Sequence, residues 1–442
     1  MRRTVPLLAS LVSILPFAAA QAPSASAPAG QVSASGVPIV APEKPDPDIT
    51  AMVERLDLVK YKDTIEALTQ FGDRRQGTER NRKALDWIES QLKSYGCANT
   101  ERVKYDYTPP GRGGSGQVGS GRGGSEAGRG GAGGAGAAPA TDVNAAPGRG
   151  GRGGTQGGGR PRGIRARTGV NNDPAKQPDE KLRALDSEPS KPGPREEIYC
   201  TKIGATHPGE MYIVAAHMDG MGYGEAANDD GSGTALVMEI ARVLSSPDVQ
   251  TDRSIRFALW NNEESGLNGA RAYVAQRKDL QGREDPPGSG KYPEPKWLGM
   301  IQHDMMLFDH GMPLPDGTLP KEQRPEADVN VEFQRTSKKA AEAAALGWAF
   351  VEANEKYAAN YPAALSNHMT NTDSTPFMDL VPAISLRENQ RGPQTGNGWD
   401  PHWHQPTDLF ATFSDDDFRL GLNATQTTLG AVATLAGARL VK

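Results

Sequence analysis

Short apolar runs alternate with helical segments along the second half of the chain, and this alternation restricts the fold more than any other feature. Runs of strand length are separated by segments whose apolar residues recur at helical spacing. Strands that alternate with helices build a largely parallel sheet with helices on both faces. We therefore predict an α/β fold, a three-layer sandwich around a mixed, largely parallel central sheet. The predicted strands are residues 197–203, 211–216, 254–260, 298–302, 328–334 and 383–386, and the predicted helices are residues 233–244, 266–276, 337–355 and 415–440.

The first 20 residues have the pattern of a secretory signal peptide. Arg2 and Arg3 precede an apolar run at residues 5–17, and three alanines at 18–20 suit cleavage before Gln21. A single membrane anchor is the alternative reading, but Pro and Ser residues interrupt the run, which is shorter than the ~20 apolar residues that span a bilayer. We expect an exported protein, periplasmic or extracellular.

Export would place the two cysteines, Cys97 and Cys200, in an oxidising compartment where thiols pair. Cys97 precedes the predicted strand at residues 100–107, and Cys200 belongs to the predicted strand at residues 197–203. The sequence therefore predicts a disulfide between them.

The region between the signal peptide and the first predicted strand divides into a spacer and two helices. Residues 21–48 are rich in Pro, Ala and Ser without periodicity, which is typical of a flexible spacer. Helical spacing of apolar residues predicts helices at residues 49–68 and 78–95. We expect one folded domain, residues 49–442.

A long segment with almost no apolar residues, 109–195, interrupts this domain. Gly-Arg-Gly-Gly repeats, Ala-Gly runs and a Pro-rich charged tail cannot bury enough surface to fold, so we predict a disordered insertion. Between residues 112 and 167 it contains nine Arg against two acidic residues. A tolerated surface insertion explains it simply, because each doubling of a loop costs only ~0.6 kcal/mol. Binding of RNA or another polyanion is the alternative.

Polar residues that can bind metal follow directly on the predicted strands. Ligand sites of such sheets lie at the carboxyl ends of strands, so these residues are expected to meet. Each residue alone is a weak signal: a turn or N-cap role would also explain the two acids that precede the helix at residues 233–244. The residues are His217 and Asp219, Asp229 and Asp230, Glu263 and Glu264, His303 and Asp304, and His404.

The adjacent acids Glu263 and Glu264 indicate a division of roles. Two neighbouring carboxylates at a strand end repel each other unless a cation or a proton separates them. One can bind metal while the other moves a proton. Asp219, two residues after His217, can orient that imidazole.

In their order, these motifs resemble those of the dizinc aminopeptidases and glutamate carboxypeptidases of the bacterial leucyl aminopeptidase type. That family's pattern is His-x-Asp, Asp-Asp-x-Ser-Gly, Glu-Glu, Asp-Met and a late His followed four residues on by Asp. The match covers most of the chain outside the signal peptide, spacer and insertion, and it implies the zinc exopeptidase fold. The matching residues are His217 and Asp219, residues 229–233, Glu263 and Glu264, Asp304 and Met305, and His404 and Asp408.

The resemblance implies two zinc ions bridged by Asp229. Glu264 and His404 would complete one site, and His217 and Asp304 the other. Zinc ions held in this way polarise water and a scissile carbonyl.

The resemblance also implies catalytic and pocket residues. Glu263 would be the general base that passes the proton of water to the leaving amine, with Asp219 as the second catalytic residue. Residues 71–78 and 373–377 are similar to further family segments and are expected to support the pocket. The substrate-binding candidates are Met305, Asp373 and Phe377.

The last motif departs from the family pattern. It reads Asp-Pro-His-Trp-His-Gln-Pro-Thr-Asp at residues 400–408, so His402 competes with His404 as a ligand and Gln405 replaces the usual Thr. The spacing to Asp408 favours His404. His303 and His368 are more typical of pocket or surface residues than of ligands.

The function predicted from these motifs is hydrolysis of N-terminal residues from peptides. A carboxypeptidase or dipeptidase for acidic termini is the alternative, and would need a cationic pocket such as Arg387 or Arg391 could supply. Glutaminyl cyclase, as the resemblance implies, shares the fold but uses one zinc, so the five-ligand set argues against it. A net charge of −5 gives no global reason to expect nucleic acid or an anionic membrane as partner, although the Arg-Gly repeats leave a polyanion binder as the non-enzymatic alternative.

Overall fold

Eight strands form one mixed sheet at the centre of the protein. The structure is a computed structural model that describes residues 44–108, 169–311, 320–324, 327–369, 372–388 and 400–442. Two further short strands, β4 and β10, pair with each other. The strands are β1 Glu101–Tyr107, β2 Gly193–Lys202, β3 His207–His217, β4 Val249–Gln250, β5 Arg253–Trp260, β6 Lys296–His303, β7 Val329–Phe333, β8 Ala363–Ser366, β9 Ala383–Arg387 and β10 Arg439–Leu440.

The central part of the sheet is parallel. The strand order is β1-β2-β5-β3-β6-β9-β7-β8. β3 pairs in parallel with β5 and β6, β6 with β9, and β7 with β8, whereas the other three pairings are antiparallel. The predicted mixed, largely parallel sheet is confirmed, and the carboxyl ends of β3, β5, β6 and β9 lie along one edge.

Helices cover both faces of the sheet. Successive residues of β3 alternate between two apolar clusters. Val214 and Ala216 pack with the helices Gly231–Leu244 and Asp415–Ala436, whereas Ile213 and Ala215 pack with Tyr273 of the helix Asn268–Arg277. Because both faces of the central strands are buried, the three-layer prediction is confirmed. The helices are α1 Pro47–Val53, α2 Leu58–Thr69, α3 Glu79–Ser94, α4 Glu180–Asp186, α5 Gly231–Leu244, α6 Asn268–Arg277, α7 Ala340–Tyr357 and α8 Asp415–Ala436.

Capping residues set helix ends that apolar spacing alone did not predict. The single helix predicted at residues 49–68 is two helices, because the Asp57 side chain accepts the backbone N–H groups of Val59 and Lys60 and starts α2. The last helix ends at Ala436 rather than at residue 440. Gly437 there adopts a left-handed conformation, with φ 65°, and ends the helix.

The prediction of disorder over the whole of residues 109–195 is wrong for its final part. Residues 169–195 contain a short 3₁₀ helix at Pro174–Lys176, then α4 and the start of β2. The prediction counted only apolar burial, whereas Asp173 and Asp179 cap these elements with side-chain hydrogen bonds. Residues 109–168 lie outside the described residues.

The first helix that the structure describes, α1, begins at Pro47, close to residue 49, where the folded domain was predicted to begin. Asp46 accepts hydrogen bonds from the backbone of Asp48 and Ile49 and thereby caps α1. The predicted signal peptide, residues 1–20, lies outside the described residues. Among the helices that are described, none has both the length and the apolar composition needed to cross a membrane.

A disulfide joins Cys97, just after α3, to Cys200 in β2, with the two Cα atoms 5.9 Å apart. Both cysteines are buried. The bond closes a chain separation of 103 residues. It therefore ties the helical layer to the strand that follows the Gly/Arg-rich segment.

Replacing both cysteines with Ala is expected to lower the free energy of unfolding by about 4 kcal/mol, because a cross-link over roughly 100 residues reduces the entropy of the unfolded chain. Urea denaturation monitored by circular dichroism measures the difference. Wild-type protein in a strong reductant is the control and should unfold like the variant. A loss under about 1 kcal/mol, or insensitivity to reductant, would contradict the prediction.

Candidate metal centre

The residues that the sequence singled out meet at the carboxyl edge of the central strands. His217 is the last residue of β3, and Asp304 directly follows β6. Glu263 and Glu264 follow β5 after a two-residue turn. His404 comes from the loop after β9. Parallel strands end at a common edge, which is why residues far apart in the sequence come together here.

Asp229 lies between the two histidines and faces both. One of its carboxylate oxygens is 3.3 Å from Nε2 of His217, and the other is 2.9 Å from Nε2 of His404. Nε2 of His404 is also 2.7 Å from a carboxylate oxygen of Glu264. Asp229 therefore belongs to two groups of potential metal ligands at once.

Each group has its ligand atoms within 4.8 Å of one another. The first group is His217, Asp229 and Asp304, and the second is Asp229, Glu264 and His404. His402, the competing candidate, is in neither group; its Nδ1 instead lies 2.8 Å from the hydroxyl of Thr407.

Asp219 connects the first group to Glu263. Nδ1 of His217 donates to the backbone carbonyl of Asp219 at 2.9 Å, which leaves Nε2 as the lone-pair donor that faces Asp229. The sequence predicted orientation by the Asp219 carboxylate, but that oxygen is 4.0 Å from the ring nitrogen. The carboxylate instead accepts the backbone N–H of Glu263 at 3.0 Å. Asp219 thus holds both the candidate ligand His217 and the backbone of Glu263.

Other buried carboxylates hold the loops that carry the ligands. Asp230 accepts the backbone N–H groups of His217 at 3.1 Å, Gly233 at 2.9 Å and Met305 at 3.2 Å. Asp408 accepts the backbone N–H of Asp229 at 3.1 Å, which links the His404 loop to the shared carboxylate. The family spacing between His404 and Asp408 thereby has a structural reason.

The site carries more buried negative charge than its own cations balance. Burial disfavours a charged imidazole, but neighbouring carboxylates raise the pKa of His404 to about 10. Burial also raises the pKa of Glu264 to about 7. For Glu263, burial raises the pKa well above its ordinary value, even though His217 lowers it. The carboxylates, each nearly or fully buried, are Asp219, Asp229, Asp230, Glu263, Glu264 and Asp304.

The donor set fits divalent zinc. Imidazole nitrogens and carboxylate oxygens are its usual ligands outside thiolate sites. Among the described residues, one oxygen of Glu264 is buried and has no hydrogen-bond partner. Cations would compensate both the orphaned oxygen and the excess of negative charge, because buried carboxylates are costly unless paired or coordinated.

Arg387, at the end of β9, is fully buried beside the first group. Its guanidinium is 3.1 Å from a carboxylate oxygen of Asp304 and 3.6 Å from one of Glu332. In the carboxypeptidase alternative, Arg387 would supply the cation of the substrate pocket. In the structure it instead pairs with Asp304, a candidate metal ligand. Arg391 lies outside the described residues.

The predicted pocket residues lie at different depths. Met305 follows Asp304 with φ 62° and is buried. Asp373 is fully buried, and within the described structure neither of its carboxylate oxygens has a hydrogen-bond partner. Phe377 packs in an aromatic cluster, with its ring centroid 5.8 Å from Trp260 and 5.3 Å from Trp297. Phe377 therefore supports the wall of the site from within the core.

Arg74 is a supporting residue whose role the sequence indicated only through the similarity of residues 71–78 to a family segment. Its fully buried guanidinium donates to the carbonyls of Met218, Glu225 and Ala226, each at 2.8 Å. These carbonyls belong to the loop between His217 and Asp229. Arg74 thus fills the interior of that loop with hydrogen bonds that no apolar side chain could supply.

A sequence profile described as "Peptidase family M28" matches residues 199–421. The chain is 46% identical over 68 residues to "Aminopeptidase YwaD" of Bacillus subtilis (strain 168), and 32% identical over 76 residues to "Carboxypeptidase Q" of Xenopus laevis. These alignments cover 15% and 17% of this chain, and only 14% and 16% of the two relatives.

A solved structure of similar fold is "Aminopeptidase from Aneurinibacillus sp. strain AM-1". The superposition has a TM-score of 0.52 at 17% identity and covers 89% of this chain and 97% of that one. At such low identity the likeness establishes the fold alone. It agrees with the sheet and helix layers described above.

Replacing Arg74 with Met is expected to lower the free energy of unfolding by about 3–5 kcal/mol, because each buried carbonyl left without a donor costs about 1–3 kcal/mol. Urea denaturation provides the measurement. Arg82→Met is the matched control: Arg82 pairs with Glu79 at the surface, so its loss should change the free energy of unfolding far less than the loss of Arg74. Equal effects of the two substitutions would refute the role assigned to Arg74.

Proposed function

Because the chain belongs to peptidase family M28, we propose that it is an exported, zinc-dependent aminopeptidase that removes N-terminal residues from peptides. The observation that carries this proposal is the carboxylate of Asp229, which faces His217 with one oxygen and His404 with the other. A carboxylate shared between two ligand groups can hold two metal ions close together, as a two-metal hydrolase needs.

The proposal assigns two zinc ions to this edge of the sheet. His217 and Asp304 would bind one ion, Glu264 and His404 the other, and Asp229 both. Zinc ions bound in this way supply a polarised water and a polarised scissile carbonyl. The excess of buried carboxylates supports this assignment. Without cations these carboxylates would have to bind protons, and metal ions would replace those protons.

Glu263 is proposed as the general base, with Asp219 as its positioning partner. The backbone of Glu263 is fixed by the carboxylate of Asp219, which also holds the ring of His217 through its carbonyl. Burial raises the proton affinity of the Glu263 carboxylate, which suits a group that accepts a proton and later returns it. It would take a proton from water and deliver it to the leaving amine.

The similar proteins include both aminopeptidases and a carboxypeptidase, and the surroundings of Arg387 favour action at the amino end of peptides. A carboxypeptidase would need an exposed cation to receive the terminal carboxylate of its substrate. Arg387 is buried against Asp304 and Glu332, so it does not offer that cation. The pocket residues Met305, Asp373 and Phe377 remain proposals for the substrate side of the site.

Export is part of the proposal. It is supported by the signal-like first 20 residues and by the disulfide between Cys97 and Cys200, a bond typical of oxidising compartments. The mature protein is expected to begin at Gln21 and to be found in the periplasm or the medium. N-terminal sequencing of the purified protein checks this, and an intact Met1 would contradict it.

A matched set of peptides distinguishes the two ends of the substrate. Leu-Gly-Gly should be cleaved between Leu and Gly. Its N-acetylated form should be cleaved at least about 100-fold more slowly, because the blocked amine no longer fits an aminopeptidase site. The C-terminal amide of the same peptide should be cleaved about as well as the free acid. The opposite pattern would establish a carboxypeptidase.

Glu263→Gln tests the base. It is expected to lower kcat by about 10²–10⁴-fold while two zinc ions per chain are retained, because the amide cannot accept the proton. Glu264→Gln is the matched comparison and should lose zinc from one site. Elemental analysis gives the zinc content of each variant, and chelator treatment followed by zinc addition should abolish and restore wild-type activity. A Glu263→Gln variant with wild-type activity would refute the assignment of Glu263 as the general base.

A further inference from the structure

The chain that follows the undescribed part of the Gly/Arg-rich segment runs directly over the His404 loop. We name residues 169–179 the strap. The backbone N–H of Asn171 donates to the carbonyl of His404 at 3.0 Å. In the opposite direction, the side-chain amide of Gln405 donates to the carbonyl of Gly169. Gln405 stands where the resembling family has Thr, so this departure from the family pattern accompanies a contact with the strap.

Two buried amide side chains of the strap join the His404 loop to the loop after β3. Gln177 donates from one nitrogen to the carbonyl of Tyr223 at 2.6 Å and to that of Pro406 at 3.0 Å. The side chain of Asn171 donates to the carbonyl of Gly222 at 3.1 Å. Asn171 and Gln177 are only 4% and 1% exposed, so water does not compete for these bonds. The strap therefore clamps two loops that border the metal centre.

The His404 loop needs such a clamp because its backbone is strained. His404 has φ 54°, a left-handed conformation that costs a residue other than glycine about 1–3 kcal/mol. The loops also approach closely: a Cβ at Gly222 would lie 2.4 Å from the carbonyl carbon of His404. Within the loop, the backbone N–H of Gln405 donates to the carbonyl of His402 at 2.9 Å, and contacts from Gly222 and the strap add to the hold on His404 from outside.

The imidazole of His404 depends on its backbone for orientation more than that of His217 does. Nδ1 of His217 is held by the carbonyl of Asp219. By contrast, Nδ1 of His404 is buried without a hydrogen-bond partner among the described residues. Trp403 stacks on the His404 ring, with centroids 3.8 Å apart, but belongs to the same strained loop. Apart from the carboxylates of Asp229 and Glu264, which Nε2 faces as a candidate ligand, the position of the ring therefore depends on the position of the backbone.

We propose that the strap is a positioning element for the His404 metal site, acting through the side-chain amides of Asn171 and Gln177. It fixes the strained backbone of His404 against Gly222 and Tyr223, and so sets the affinity of the site formed by Asp229, Glu264 and His404. This inference rests on the proposed two-metal centre, but metal binding tests it without any peptidase activity. Asn171 and Gln177 are positioning residues.

Selectivity between the two metal sites separates this role from simple stabilisation of the fold. The first group is held by other contacts: Asp219 supports His217, and Asp230 binds the backbone N–H groups of His217 and Met305. Loss of the strap amides should therefore affect the second group and spare the first. A strap that only stabilised the domain would weaken both sites together through partial unfolding.

The experiment is a stepwise zinc titration of the full-length metal-free protein against a competing chelator. The variant Asn171→Ala/Gln177→Leu removes the donors, and His404→Ala identifies which binding step belongs to the second group. The double variant should weaken that same step by about 10–100-fold, as expected for residues that orient a ligand. The other step should stay within about threefold of wild type. Asn172→Ala, an exposed change in the same strap, is the matched control and should alter neither step.

A cobalt-substituted sample adds a spectroscopic measurement. The visible absorption of Co²⁺ in the His404 site should change in the double variant, while the band that survives in His404→Ala should stay unchanged. If the double variant does not fold, the single variant Gln177→Glu tests the proposal. Its carboxylate still accepts the N–H of Asp179, but the hydrogen bonds that Gln177 donates to Tyr223 and Pro406 are lost. It should weaken the His404 step by at least about fivefold.

Three results would overturn the proposal. The first is equal weakening of both binding steps, and the second is unchanged binding in a variant that only melts at lower temperature. The third is a wild-type protein that binds fewer than two ions. A wild-type protein that binds two ions but cleaves no peptide would instead refute the aminopeptidase function. The role of the strap would then still be decided by the zinc titration.

Discussion

The rest of the site depends on one buried carboxylate, that of Asp229, which belongs to both groups of candidate metal ligands. Its two oxygens face His217 and His404, so the two ligand groups are joined through one side chain. Carboxylates buried at this density repel one another, and the arrangement is sustainable only when cations or protons compensate them. The fold meets this demand at a sheet edge, where parallel strands deliver ligands from distant parts of the sequence to one place.

Precision at such a site comes from the loops, and hydrogen bonds rather than apolar packing hold them. Arg74 satisfies three carbonyls of the loop before Asp229, and Asp230 and Asp408 accept backbone N–H groups on either side of the shared carboxylate. Each of these polar groups is buried, so losing a partner costs more than an exposed hydrogen bond would contribute. The loops therefore have few alternative conformations of similar energy.

The sheet could be predicted from the sequence because its strands depend on local patterns, and the candidate ligands could be placed at its edge because each stands close to the end of a strand. β3 and β5 are apolar runs of strand length; His217 is the last residue of β3, and Glu264 stands four residues after the end of β5. The supporting contacts could not be predicted in this way, because Arg74 and Asn171 act on carbonyls far away in the sequence, and no local pattern encodes a backbone acceptor. The same reason explains the error at residues 169–195: low apolar content predicts disorder, but this segment is held by buried amides and helix caps. Asp57 divides the first predicted helix in two. Its type is typical of an N-cap residue, but the prediction used only the spacing of apolar residues.

The two described ends that flank residues 109–168 both lie at the edge of the sheet that carries the ligands. β1 ends at Tyr107 opposite Gly193, beyond the carboxyl end of β5, and Gly169 accepts a hydrogen bond from Gln405 beside His404. Arg195, two residues into β2, donates to Gln76, and Gln76 in turn donates to Ser265, the neighbour of Glu264. A segment inserted at a distant hairpin would leave the ligands unaffected. In the role that we propose for the strap, residues 169–179 at this edge support the site, because the side-chain amides of Asn171 and Gln177 hold the loops around the strained His404 together.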